Sequence, residues 1–255
     1  KLAYMKKTFL TSIFCIFACL NNSVSAQEKI AIKNDTPAAD SAEENKTSEA
    51  KQKKADVCDR FKNIKPQLRL RSSYGKLTYN FDYDRENLDI MAARNNLTEE
   101  GMFTAGLSLV DVDWSVSLNT VSRSINGRIC VIPASVDVFI GYRNPVIYIS
   151  NDIDEGTCTY EVVLRHERQH QQINVSVLDY YLPTLKKGLK EQLAVLQTRG
   201  ANADEDTDVI TDDMNANYAN AIRPLINRFQ ITLQNEQQRL DNRQNYQYES
   251  GLCSD

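Results

Sequence analysis

The spacing of hydrophobic residues changes character several times along the chain. From Met5, MKKTFLTSIFCIFACLNNSVSA opens on two lysines, runs through apolar residues from Phe9 to Leu20 and leaves through Val24-Ser25-Ala26. That is the layout of an export leader cleaved before Gln27. Residues 27–56 contain no aromatic side chain and are mostly Ala, Lys, Glu, Asp, Ser and Thr. Such a stretch has too little apolar surface to order itself and reads as a flexible linker. Apolar residues return at Cys58. KLTYNFDYD (76–84) alternates at the period of a strand, and ENLDIMAARN (86–95) suits a short helix. DWSVSLNTVSRSI, RICVIPASVDVFIGY and NPVIYIS read as further strands, separated by Asn126-Gly127, Pro133 and Arg143-Asn144-Pro145. Asn-Gly between two such runs predicts a hairpin turn, and the whole predicts a sheet of four or five strands.

Beyond Cys158 the period becomes helical. With Thr159 as N-cap, the pattern runs through VLRHERQHQQIN (163–174) to residues 184–198, where Leu185, Leu189, Leu193 and Leu196 recur at helical spacing. Pro183 is expected to kink or split this helix. RGANADEDTDVITDD (199–213) reads as an acidic linker, and a second long helix is expected from Met214. Ile222, Leu225, Ile226, Phe229, Leu233 and Leu240 form its apolar stripe. The predicted architecture is α+β, a helical hairpin packed on a sheet.

Length and composition narrow the picture. A chain of 255 residues, shortened by its leader, supports one principal domain, here 57–255. A formal charge of −4 without a basic stripe argues against a nucleic-acid partner. The leader's apolar run is short for a membrane span, which needs roughly 20 residues, and no other segment approaches that length. No stable transmembrane segment is therefore expected after cleavage. Removing residues 1–26 leaves Cys58, Cys130, Cys158 and Cys253. In an exported chain these suggest two disulfides, with three possible pairings. The expected location is periplasmic or secreted, and Cys19 in IFAC offers the lesser possibility of a lipid anchor.

The chemistry concentrates in one segment. His166-Glu167-Arg168-Gln169-His170 spells HExxH, and the chain has no other histidine. On a helix, positions i and i+4 share a face one turn apart, so both imidazoles can reach one metal ion. Glu167 lies beside them, placed to polarise a water rather than to ligate. Ile173, Val177 and Tyr181 continue the same face, so the histidines are expected to point inward and Arg165, Arg168 and Gln169 outward. A solvated polar helix face is the competing reading. The use of both histidines at this one spacing, on a helix directly after a sheet, favours the metal.

A catalytic zinc has three protein ligands and one open position. With no histidine left, the third ligand must be a carboxylate. Asp179 and Glu191 sit badly for this: Asp179 faces roughly the opposite side of the helix, and Glu191 lies beyond Pro183 and off the apolar stripe. Glu236 interrupts the apolar face between Leu233 and Leu240, where a carboxylate needs a metal or a basic partner. If the helices fold back about a turn near residue 206, the motif faces the mid-240s, which ranks Glu249 first and Glu236 second. The expected centre is thus Zn2+ held by His166, His170 and Glu249, with Glu167 as general base. Tyr180, Tyr181, Tyr246, Tyr248 and Arg165 are candidate donors to an oxyanion. NPVIYIS is a candidate sheet edge for an extended peptide.

In the order of these signals the chain resembles a bacterial family of predicted secreted zinc-dependent proteases. The shared features are Asp113-Trp114-Ser115-Val116, Cys130-Val131, a valine-rich strand near Val136, Cys158, Val162-Val163-Leu164-Arg165-His166-Glu167 and His170. They cover residues 75–175, and the later helices match by shape. The family's C-terminal Tyr-Asp and His-Gly signature falls on Tyr248-Glu249-Ser250-Gly251, which has no histidine. The resemblance implies a zincin-like domain, a small mixed or antiparallel sheet against the HExxH helix and a second long helix, acting as an envelope metallopeptidase. The expected activity is hydrolysis of peptide bonds in a peptide or protein substrate by metal-activated water. Two alternatives are a weak or inactive envelope binding protein on the same fold, suggested by the missing histidine, and a zinc amidase acting on cell-wall peptides.

Overall fold

A computed structural model of the chain describes residues 56–97 and 103–253. The expected leader, with Cys19, and the expected linker apart from Asp56 lie outside the described residues. Asp56 itself caps a short 3-10 helix, Val57–Phe61, by accepting a hydrogen bond from the Cys58 amide.

Every other strand pairs with one long strand. The strands are β1 (Gln67–Ser73), β2 (Thr78–Asn80), β3 (Gly106–Ile125), β4 (Arg128–Ile149) and β5 (Arg199–Asn202). β3 runs antiparallel along nearly the whole of β4, and the two are joined by Asn126-Gly127 with φ of 49° and 77°. Positive φ at both positions is the primed hairpin turn that Asn-Gly favours. The other edge of β4 is shared in succession by β5 (antiparallel), β1 and β2 (both parallel).

The sequence predicted breaks at Pro133 and at Arg143-Asn144-Pro145, yet β4 continues through both. Proline lacks the N–H that a ladder requires, so within a sheet it is confined to edges and bulges. Both prolines sit at register shifts against β3: Asn119/Thr120 face Ser135 and Pro133, and Leu109/Asp111 face Val146 and Arg143. Asn144 absorbs the second shift with φ 49°. These two bulges also mark where β4 changes partner on its other edge, from β5 to β1 and from β1 to β2. β4 is therefore an interior strand, and NPVIYIS is not the free edge expected of it. Strand 76–84 shrinks to Thr78–Asn80, and the unpredicted β1 takes its place beside the long central part of β4.

The helices are α1 (Arg85–Arg94), α2 (Cys158–Gln192), α3 (Thr207–Leu240) and α4 (Arg243–Gly251). α2 and α3 form the predicted hairpin on one face of the sheet. Val136, Val138, Ile140 and Tyr142 of β4 are buried there against Leu178, Leu185 and Leu189 of α2 and Tyr218, Ile222, Ile226 and Phe229 of α3. Each such side chain contributes roughly 1.5–3 kcal/mol on burial. That sum outweighs the roughly 3 kcal/mol of an interior proline, so Pro183 does not split α2 and Pro224 does not split α3. α2 begins two residues earlier than expected, with Thr157 rather than Thr159 as its cap. The acidic linker is shorter than its composition suggested: Arg199–Asn202 extends the sheet, burying Ala201, and α3 starts at Thr207 on an Asp206 cap. Among the described residues no helix is long and apolar enough to cross a membrane.

Two disulfides resolve the open pairings. Cys58–Cys130 joins the N-terminal 3-10 helix to β4, and Cys158–Cys253 joins the first turn of α2 to the residues just after α4.

Candidate metal centre

Helical periodicity sorts the side chains of α2 into two adjacent stripes. Val163, Glu167 and Gln171, four residues apart, approach the start of β3. A Cβ at Gly106 of β3 would lie 2.6 Å from Val163 Cγ1 and 2.8 Å from Glu167 Oε1, so only glycine admits this contact. Two residues along, Ser108 Oγ accepts a 2.6 Å hydrogen bond from Gln171 Nε2. The second stripe, His166 and His170, is buried and turns toward the end of α3 and toward α4. Arg165 and Arg168 are exposed, as expected.

The hydrogen bonds fix what each imidazole offers. Nδ1 of His166 faces Glu249 Oε2 at 2.9 Å, and Nδ1 of His170 faces Gln237 Oε1 at 2.5 Å. Both partners are acceptors, so each Nδ1 carries a proton, leaving Nε2 as the free donor atom of the ring. The two Nε2 atoms are 3.2 Å apart, and Asp241 Oδ1 lies 3.2 Å from the first and 3.0 Å from the second. Three lone-pair atoms thus converge on one point. Around a tetrahedral ion with bonds of about 2.0–2.1 Å, neighbouring ligand atoms are about 3.3 Å apart. The donor set fits such an ion in chemistry and in spacing. His166, His170 and Asp241 form a zincin-type metal-binding triad, with Glu167 the glutamate of the HExxH motif that carries its two histidines.

The third position departs from the sequence expectation. The carboxylate of Glu249 is buried and meets His166 at Nδ1, on the far side of the ring from the convergence point. Glu236 turns away and pairs with exposed Arg239. Residues 237, 241, 246 and 249 all reach the motif, the first from α3 and the last two from α4 rather than from one continuous second helix. The end of α3 is what brings a different carboxylate to the third position. The helix stops at Leu240, Asp241 takes the first non-helical position with ψ 70°, and Asn242 caps α4 through the Asn245 amide. Asp-Asn after the last residue of an apolar stripe is a stop-and-cap signal, and it marks Asp241 as a residue held in a turn. Of the candidate hydroxyl and guanidinium donors, Tyr246 is at the centre: its hydroxyl donates to Asp241 Oδ1 at 2.6 Å and its ring lies 5.2 Å from that of His166. Tyr180, Tyr248 and Arg165 are exposed, and Tyr181 shares a hydrogen bond with Thr232.

Without an ion the centre attracts protons. Burial opposes charge on His170, but the hydrogen bond to Asp241 and the fields of Asp241 and Glu167 override it and push the pKa up to about 9. For His166 burial again opposes charge, and Asp241, Glu167 and Glu249 outweigh it and raise the pKa. Asp241 is held below the usual carboxylate range because hydrogen bonds from both imidazoles and from Tyr246 overcome its partial burial. Burial pushes Glu167 up to about 7, with the imidazoles pulling it down and the carboxylates of Asp241 and Glu249 pushing it further up. A carboxyl poised near neutrality suits proton transfer in either direction.

No family model matches the chain, and neither a curated protein nor a solved structure matches it. What classes the centre is therefore its own geometry: a His-Glu-x-x-His helix with an aspartate delivered from the turn after the second long helix, the motif typical of zincin metallopeptidases.

Proposed function

We propose that the chain is an exported zinc-dependent metallopeptidase, akin to the secreted protease family its motif resembles. The observation that carries this reading is the convergence of His166 Nε2, His170 Nε2 and Asp241 Oδ1, each imidazole having committed its other nitrogen to the protein. These three residues would hold the ion. A bound zinc supplies Lewis acidity, lowering the pKa of water and polarising a carbonyl. Glu167 takes the proton of the attacking water and delivers it to the departing amine, which needs the near-neutral carboxyl its buried position provides. Tyr246 holds Asp241 in place through its hydroxyl.

An extended peptide is the substrate form that suits the surroundings. β3 pairs only with β4 among the described strands, so no described strand takes its outer edge, and it starts at Gly106 against Glu167. Main-chain pairing along that edge would present successive peptide groups to the centre. Export is supported by the leader-like N-terminus and by two disulfides, which persist in oxidising compartments.

The test is zinc content followed by hydrolysis of a peptide library. The native protein is expected to bind one zinc, and His166→Ala to lose it. Glu167→Gln is expected to retain zinc and lose about 10²–10⁴ in rate. Metal-free native protein, or full activity in Glu167→Gln, would overturn the reading.

A further inference from the structure

The metal-facing imidazole of His170 is the end of a longer chain of side chains. Gln237 Oε1 accepts from His170 Nδ1, and Gln237 Nε2 donates to Asn174 Oδ1 at 2.7 Å and to the His170 backbone carbonyl at 3.2 Å. Asn174 Nδ2 donates to Gln171 Oε1 at 3.2 Å, and Gln171 Nε2 donates to Ser108 Oγ at 2.6 Å. Three amides are linked oxygen to nitrogen, all in the same sense.

That sense is anchored by the backbone. A carbonyl oxygen cannot donate, so the group of Gln237 facing the His170 carbonyl must be its nitrogen, and its oxygen must face the imidazole. Asn174 must then present oxygen to Gln237 and nitrogen to Gln171, and Gln171 must present nitrogen to Ser108. Turning any one amide over would oppose two donors or two acceptors in a region where Asn174 is buried, and an unsatisfied buried polar group costs about 1–3 kcal/mol. The backbone of Asn174 is fixed as well: its carbonyl accepts from the buried Tyr142 hydroxyl of β4 at 2.7 Å.

We infer that Gln237, Asn174, Gln171 and Ser108 form a one-directional amide relay that holds His170 with its Nδ1 proton toward α3 and its Nε2 toward the metal position, tying that ligand to the edge strand β3. The inference rests on the proposed zinc centre for its function, though not for its geometry. Gln237 and Asn174 are positioning residues: neither supplies an atom to the convergence point. His166 is served by a different device, the single carboxylate of Glu249, so the two ligands are oriented independently.

The experiment uses the full chain in wild-type form and as Gln237→Met, Gln237→Glu and Asn174→Leu, with folding checked by circular dichroism. Zinc affinity is measured by competition with a chromophoric chelator, and solvent exchange of the His170 Nδ1 proton and of the Gln237 amide protons by nuclear magnetic resonance at neutral pH. Gln237→Met keeps the volume and removes the acceptor, and is expected to weaken zinc binding about 10–100-fold, the usual effect of losing a partner behind a metal ligand. Gln237→Glu restores the acceptor at Nδ1 but sets its second oxygen against the His170 carbonyl and Asn174 Oδ1; it is expected to bind zinc more tightly than Gln237→Met and less tightly than the wild type, an order that packing alone would not produce. Asn174→Leu, one link further away, is expected to speed exchange of the His170 Nδ1 proton and to weaken zinc binding less than Gln237→Met. Zinc affinity and Nδ1 exchange unchanged in both Gln237→Met and Asn174→Leu would overturn the relay. So would rapid exchange of the Gln237 amide protons in the wild-type protein, a result that needs no variant. If the wild-type chain binds no zinc, the metal reading fails by itself, and the exchange rates in the metal-free chain still decide the relay.

Discussion

At the scale of single residues, the centre depends on which atom of each side chain is already engaged. Glu249 and Asp241 both approach His166, yet one meets Nδ1 and the other Nε2, and these contacts have different consequences. Asp241→Ala removes a member of the triad and should abolish stoichiometric zinc. Glu249→Ala leaves the triad and removes an orienting partner, so zinc affinity should fall about 10–100-fold. Chelator competition on the two variants separates the roles, and the reverse ranking would make Glu249 the ligand. Gly106 is as sharply constrained. A methyl there would press on Val163 and on the Glu167 carboxylate at under 3 Å. Gly106→Ala should keep its zinc and lose about 10²-fold in kcat, because a displacement of about 1 Å in a reacting group has effects of that size. An unchanged kcat would place Glu167 away from the reaction.

At the scale of elements, α4 is a short helix with two jobs: it carries Tyr246 and Glu249 to the centre, and it follows the turn that exposes Asp241. Nine residues form few stabilising contacts alone, and isolated helices of that length are marginal. The Cys158–Cys253 bond compensates by fastening the end of α4 to the start of α2, the helix that carries both histidines. Closing a loop of 95 residues constrains the unfolded chain by about 4–5 kcal/mol in the loop-entropy account. Cys253→Ser should lower the thermal midpoint and weaken zinc binding together, whereas Cys58→Ser, on the opposite face of the sheet, should lower the midpoint and leave zinc affinity near the native value. Equal loss of zinc in both variants would show that α4 does not depend on its own staple. The hairpin of α2 and α3 was legible because its leucines, isoleucines and Phe229 repeat at helical spacing. β5 was not, because Arg-Gly-Ala-Asn has no alternation and becomes a strand only where β4 offers an edge at 128–131.

At the scale of the whole molecule, metal and fold are linked through protons. His170 has its pKa raised from 6.5 to about 9 in the metal-free protein. A raised folded pKa stabilises the fold fully below about 6.5, and that contribution is lost as the pH rises to about 9. A bound ion stands in for the proton and removes the loss. The difference in thermal midpoint between zinc-loaded and chelator-stripped protein should therefore widen from about pH 6 to about pH 9, with the stripped form losing up to a few kcal/mol. A constant difference across that range would mean that His170 does not share its site with the ion.

The sequence by itself determined the components: an HExxH helix, a second apolar helix folding back on it, an Asn-Gly hairpin and four cysteines for two disulfides. These are local signals, carried by periodicity and spacing over a few turns or a few residues. Only the tertiary structure decided how they combine. It let β4 run through two prolines because bulges against β3 spare the missing hydrogen bonds, and it chose Asp241 over Glu249 because a helix stop turns one carboxylate toward Nε2 and leaves the other at Nδ1. A ligand is defined by the direction of a lone pair in space, and that direction depends on residues 75 to 83 positions away along the chain.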